Sequence, residues 1–167
     1  MVGYMNAPLP QTLKFEVSGL ASVIADSNAY DALCCKLSPT QWDVLGSFIQ
    51  PFAALQGQVV IEQGGKDRSL YFVESGQLSV HYQDEKGRVR LALVGVGSVV
   101  GEGAFFSHLP RNATVQAAGN CKLWCLTPTR FTELSNRHPA LALELSMALG
   151  SVLAKRLVNR PKRVAIT

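Results

Sequence analysis

Gly101-Glu102-Gly103-Ala104-Phe105-Phe106-Ser107-His108-Leu109-Pro110-Arg111-Asn112-Ala113-Thr114 interrupts a run of alternating apolar and polar residues, and the architecture turns on how that interruption is read. Before it, a period of two marks strands at 69–73, 77–82 and 89–93. Turn signals separate them: Gly64-Gly65, Ser75-Gly76, Asp84-Glu85-Lys86-Gly87 and Val96-Gly97. After it, Cys121, Leu123 and Cys125 again fall on one face of a strand. Strands this closely and regularly spaced predict a barrel or sandwich rather than a parallel sheet. The interruption is then a crossing between strands, with Gly103-Ala104-Phe105-Phe106 forming one short helical turn.

The flanks read as helices. Residues 1 to about 50 are expected to be helical after a loose start, with helical composition over 21–37 and a break at Asp26-Ser27-Asn28. Ser38 has the chemistry of an N-cap, Pro39 suits the first helical position, and Trp42, Leu45, Phe48 and Ile49 follow at helical spacing. Thr127 and Pro128 repeat that signal ahead of Phe131 and Leu134, and Pro139 opens a longer helix that Pro161 ends. Leu141, Leu145, Ala148, Val152 and Leu157 form an apolar stripe on it, and Leu143, Leu149 and Leu153 widen the stripe beyond one face. Such a helix is buried on more than one side or pairs with a copy of itself. The expected fold is therefore mainly β with flanking helices: a barrel or sandwich over about 52–126, with N-terminal helices and a C-terminal helix pair over about 127–160. The domain division expected is an N-terminal helical extension at 1–37, one domain at 38–160, and a basic tail at 161–167.

Composition excludes several classes. With 47% hydrophobic and 17% charged residues in 167, the chain is globular. The net charge is +4, with much of the basic excess in Lys155, Arg156, Arg160, Lys162 and Arg163. A basic tail can touch nucleic acid or an anionic membrane; its simpler reading is a solvated helix end whose cations complement the helix dipole. Residues 1–11 lack the basic and apolar segments of a signal peptide, and no apolar run reaches the roughly 20 residues of a spanning helix, so a cytoplasmic protein is expected. Cys34, Cys35, Cys121 and Cys125 have neither zinc nor redox spacing and read as small buried thiols. His81, His108 and His138 are scattered, so no metal site, no cofactor and no enzymatic activity are expected.

The turn pattern also carries a resemblance. Gly57, Val60, Ile61, Gln63-Gly64, Leu70-Tyr71, Val73, Ser75-Gly76 and Leu78, followed by Gly97, Gly101-Glu102 and Pro110-Arg111-Asn112-Ala113-Thr114-Val115, resemble the β-roll landmarks and phosphate-binding cassette of cyclic-nucleotide-binding domains over roughly residues 37–157. The resemblance implies the fold, a double-stranded β-helix or jelly-roll-like β-roll over about 52–126; it also implies a ligand, cAMP or cGMP, and roles that the residue types permit. A cyclic phosphodiester is a compact monoanion, and the planar fork of Arg111 can hold two of its oxygens. Gly103 and Ala104 would present backbone N–H groups to the phosphate, with Asn112 and the small Ala113 beside them. Glu102, with Gly101, would accept from the ribose 2′-hydroxyl. Val99, Val100 and Thr114 are the candidates for the purine pocket. Gly103 stands where relatives often carry a bulkier aliphatic, and Asn112 where they often carry Ala, Ser or Thr. The base preference leans to cAMP.

The same resemblance implies a regulatory module that signals by moving its C-terminal helix against a protein effector or its own copy, with a homodimer through the helix after Pro139. Sequence-specific DNA binding is not expected, since no recognition helix follows that helix. Two other readings stand beside it: a degenerate roll serving as a protein-interaction scaffold, in which Glu102 and Arg111 pair with each other, and the sensor half of a transcription regulator that lacks its DNA-binding domain.

Overall fold

Thirteen elements follow one another in a computed structural model that describes residues 13–159. Two helices come first, α1 (Val17–Asp26) and α2 (Pro39–Gly46); then eight strands, β1 (Gln50–Ala54), β2 (Val59–Ile61), β3 (Leu70–Ser75), β4 (Leu78–Gln83), β5 (Val89–Val94), β6 (Val99–Val100), β7 (Thr114–Ala117) and β8 (Cys121–Leu126). A short α3 (Glu102–Ser107) lies between β6 and β7, and α4 (Pro128–Arg137) and α5 (Pro139–Val158) close the chain. The strands form two four-stranded antiparallel sheets, ordered β1-β8-β3-β6 and β2-β7-β4-β5. Apart from the β4–β5 hairpin, strands adjacent in sequence are dealt to different sheets, which wraps the chain into the expected β-roll. The basic tail at 161–167 lies outside the described residues, as do Arg160 and residues 1–12.

The first sheet is covered on both faces, and this splits the core in two. Tyr71, Val73, Val100, Cys121 and Leu123 point into the roll, where they meet Ile61, Leu78, Val80, Ala113 and Val115 of the second sheet. Their strand neighbours Leu70, Phe72, Val99, Trp124 and Leu126 point outward and pack under Leu20, Ile24, Leu33, Leu45, Leu134, Leu145 and Leu149 of the helical layer. Strands buried on both faces need apolar residues at successive positions, so the period of two expected at 69–73 is corrected: Leu70, Tyr71, Phe72 and Val73 of β3 are all buried.

The helix signals act locally. The Ser38 hydroxyl accepts from Gln41 N–H while the Gln41 side chain accepts from Ser38 N–H, a full capping box around Pro39. Thr127 caps α4 by accepting from Arg130 N–H. Two expectations need correction. Helix α1 stops at Asp26 and does not resume, so 27–38 is irregular chain. It is held instead by tertiary bonds, with Leu33 N–H on Gly97 O and Ser27 Oγ on Val96 O. Cys34 is exposed and Cys35 and Cys125 are half-buried, whereas Cys121 is buried as expected. Burial, and then the nearby Glu144 carboxylate, push the Cys35 thiol up to about 12, which keeps it protonated and unreactive.

Gly97 is where the helical layer meets the roll. Its φ is 82°, and a Cβ there would lie 2.6 Å from Ser27 Cβ and 2.9 Å from Val23 O. Gly97→Ala is therefore expected to lower stability by about 2 kcal/mol or more, from backbone strain plus displaced packing. Urea unfolding followed by tryptophan fluorescence checks this; a loss below about 0.5 kcal/mol would mean that α1 shifts freely.

Candidate functional site

Strand β6 ends at Gly101, whose φ of 91° turns the chain sharply into α3. Only glycine fits there, because a Cβ would lie 2.5 Å from Ser69 O and 2.8 Å from Arg111 Nη1. Helix α3 ends at His108, also left-handed at φ 61°, and the chain returns through Pro110 to Arg111. Two backbone bonds fix Arg111 on the β2–β3 turn: Gly64 N–H donates to Arg111 O, and Arg111 N–H to Gly65 O, both at 2.8 Å.

From that anchor the Arg111 side chain runs inward and is 3% exposed. Nη1 donates to Gly101 O at 3.1 Å; Nη2 donates to Ser69 O at 2.7 Å and to Asp67 Oδ2 at 2.6 Å. Its Nε is buried without a hydrogen-bond partner among the described residues. Asp67 itself is held by Ser69 N–H on Oδ1. Burial alone would raise the Asp67 carboxyl, but the bonds from Arg111 and Ser69 outweigh it and hold it below the usual carboxylate range.

Glu102 serves a different cation. It is fully buried at 0% exposure, and its Oε1 accepts from Arg156 Nη1 at 2.6 Å. Arg156 also donates from Nε to Asp31 Oδ2 at 2.8 Å, and from Nη2 to Ser98 Oγ at 3.1 Å and Val99 O at 2.9 Å. Ser98 Oγ in turn donates to Asp31 O. Burial opposes the Arg156 charge, but Glu102 and then Asp31 outweigh it and raise the group above its ordinary value. This overturns two expectations. Arg156 belongs to no solvated helix end, being 3% exposed. The pairing expected between Glu102 and Arg111 is replaced by two separate pairs, Glu102 with Arg156 and Asp67 with Arg111.

The other candidates divide by strand geometry. Gly101, Glu102 and Ala104 are buried, and Gly103 is half-buried at the head of α3, where the first N–H groups have no acceptor within the helix. Ala113 is fully buried inside the roll, and Asn112 beside it is exposed. Val100 faces the roll interior, but Val99 faces the helical layer and so cannot line a pocket inside the roll. Adjacent strand residues point to opposite faces, so the two were never both available. Thr114 alternates with the buried Ala113 and Val115, and its hydroxyl accepts from Gln63 N–H at 3.0 Å. Sequence reasoning missed Asp67, Asp31 and the role of Arg156. A signal existed for Arg156: it lies four residues beyond Val152 and seven beyond Leu149, on the buried stripe of α5, whereas Leu157, assigned to that stripe, is exposed.

A two-sheet roll that holds a buried arginine against a glycine-bounded loop, with a long helix clamped to the same loop, defines a class of regulatory β-roll domains. The chain belongs to the cyclic nucleotide-binding domain family, whose sequence pattern matches residues 53–138, a little over half of the chain. It is 30% identical over 110 residues to a cGMP-dependent protein kinase of Plasmodium berghei, a match over 64% of this chain and 12% of the kinase. It is 30% identical over 122 residues to the cyclic AMP receptor protein of Thermus thermophilus, over 72% of this chain and 55% of that protein. The chain thus spans about half the length of the receptor protein and a small part of the kinase. A solved cyclic nucleotide-binding domain from Methylobacillus flagellatus shares the fold, with a TM-score of 0.75 at 18% identity over 89% of this chain and 85% of that one. No helix among the described residues is long and apolar enough to cross a membrane.

Arg156→Ala is expected to cost about 3 kcal/mol or more, because it leaves two carboxylates buried without their cation. Adding Glu102→Gln to that variant should recover part of the loss, since one orphaned charge is then gone. Urea denaturation of the three proteins measures both effects.

Proposed function

We propose that this chain is a cyclic-nucleotide receptor module, with cAMP the preferred ligand, whose output is the position of α5. The binding unit is taken as 38–160, with 1–37 an extension that contributes Asp31 to the lock. The observation that carries the reading is the buried Arg111, with an unbonded Nε and Asp67 already seated on Nη2. A cyclic phosphodiester offers an anionic oxygen to Nε, and a second oxygen can take the place of Asp67 on Nη2 in bidentate geometry. Gly103 and Ala104 N–H groups supply further donors, with Asn112 and Ala113 closing the phosphate side. The ribose 2′-hydroxyl donates to Glu102, Gly101 keeps that approach open, and Val100 is the remaining apolar candidate beneath the purine. Both cAMP and cGMP occur in the names of the relatives.

The same Glu102 connects ligand to output. A hydroxyl on this carboxylate competes with Arg156, and Arg156 is the only α5 residue in the lock described above. Nucleotide then favours whichever placement of α5 best satisfies both demands on Glu102. That is a shift between two states, driven by a differential contact. Arg111→Ala is expected to lower cyclic-nucleotide affinity at least about tenfold while far-UV circular dichroism stays native. Calorimetric titration with cAMP and cGMP, beside a thermal-shift panel that adds cyclic dinucleotides, checks it. No midpoint shift with any of these would favour the scaffold reading.

The outer face of α5 supports a homodimer as the second half of the proposal. Leu143 is 63% and Met147 67% exposed, and Gly150, Ala154 and Leu157 are exposed as well. These five follow alternating steps of four and three, the spacing of a coiled-coil seam. At Gly150 nothing lies within 4 Å of a Cβ position, so a partner helix can approach closely. Leu143→Glu with Met147→Glu should shift a dimer to monomer in sedimentation velocity. A wild-type chain that is already monomeric at high micromolar concentration, with and without nucleotide, would count against the seam.

A further inference from the structure

On the outer side of α3, away from the Arg111 cradle, two clefts of ≈ 240 and ≈ 350 Å³ share Arg68 and His108 in their walls. The smaller runs between α3 and α4 over three aromatic rings. Phe105 meets Phe106 at 5.3 Å and Phe131 at 5.2 Å, both edge to face, and Phe106 is 39% exposed. The larger is rimmed by Lys66 and by Leu109 and Pro110 of the return to Arg111. No acidic side chain lines either cleft.

Arg68 is the telling residue. On either side of it, the Asp67 carboxylate and the Ser69 carbonyl accept from Arg111, while the Arg68 side chain lines both clefts. Arg68 is half-buried, yet it makes no hydrogen bond or ion pair among the described residues, and the nearest carboxylate in sequence, Asp67, is committed to Arg111. Its guanidinium is therefore open to an anion in the clefts that it lines. Lys66 and His108 add positive charge or hydrogen-bond donors at the same mouth, and the left-handed backbone of His108 sets its side chain there.

We propose that these joined clefts form a second ligand site, separate from the nucleotide cradle, for a small aromatic oxyanion: one apolar ring bearing a phosphate or carboxylate. The ring lies against Phe106 and Phe131, and the anionic group meets the Arg68 fork with Lys66 beside it. An enclosed cavity of about 150 Å³ already holds a benzene ring, so the space suits a ring with one anionic substituent. The site is built from the outer faces of α3, α4 and the 66–68 turn, and it stands whether or not Arg111 binds a nucleotide.

Phenyl phosphate is the probe, titrated into the full chain and followed by ¹H–¹⁵N NMR, with benzoate and inorganic phosphate as parallel arms. Saturable shifts centred on Arg68, Phe106, His108 and Thr132, with Kd below about 1 mM, are expected. Affinity should fall about tenfold in Arg68→Ala and in Phe106→Ala, remain in Arg111→Lys, and persist under excess cAMP. Inorganic phosphate should bind at least about tenfold more weakly, since it lacks the ring, and the benzoate arm shows whether the site distinguishes phosphate from carboxylate. Shifts centred on Gly103, Ala104, Arg111 and Ala113 and lost in Arg111→Lys would place the probe in the nucleotide cradle and overturn the proposal. So would unchanged affinity in Arg68→Ala, or no saturation by about 1 mM.

Discussion

One guanidinium holds this structure's moving parts to its fixed ones. Arg156, near the end of α5, bonds a carboxylate from the irregular 27–38 chain, a carboxylate from α3, a hydroxyl from Ser98 and the carbonyl of Val99. A charge of that kind is costly to bury alone and is retained only where its partners are complete. The constraint therefore runs both ways: α5 cannot leave without stranding Asp31 and Glu102, and α3 cannot shift without unpairing Arg156. The helical layer and the loop between the sheets are thereby tied together at one point.

That unit rests on a sheet with two apolar faces. Because β3, β6 and β8 present alternate residues to the roll and to the helices, a displacement of α5 is felt on the back of the strands whose front lines the roll. Val99 and Val100 show the consequence in adjacent positions, one in each core. The roll supplies the rigid frame. The loop from Gly101 to Arg111 crosses between the sheets, with Gly101 carrying the turn and Asp67 holding the arginine in place.

Much of this was legible in the order of residues. Local rules act within a few positions, so the Ser38 and Thr127 caps, the Pro-led helices, most strands and the short helical turn at α3 could be read directly. Turn residues at regular spacing narrowed the strands to a barrel or sandwich, and the family resemblance supplied the roll. The break after Asp26 was legible, but not that the helix would fail to resume: 27–38 has helical composition, and long-range bonds to Val96 and Gly97 outweigh it. The buried position of Arg156 was also present in the helical spacing, hidden by its place in a run of basic residues.

The charge partners were a matter for the tertiary structure. Arg111 had two acidic candidates within reach of any reading, and the one nearer in sequence, Glu102, proved to serve another cation. Coulomb attraction and hydrogen bonding depend on distance in space and on burial, and both are set only when the roll closes, bringing residue 67 to 111 and residues 31, 102 and 156 to one point. The sequence by itself determined the strands, the caps, the glycine turns and the family to which they belong, because those follow from local backbone physics. Which carboxylate holds which arginine, and therefore how the loop is tied to the last helix, was decided by packing across more than a hundred residues of chain.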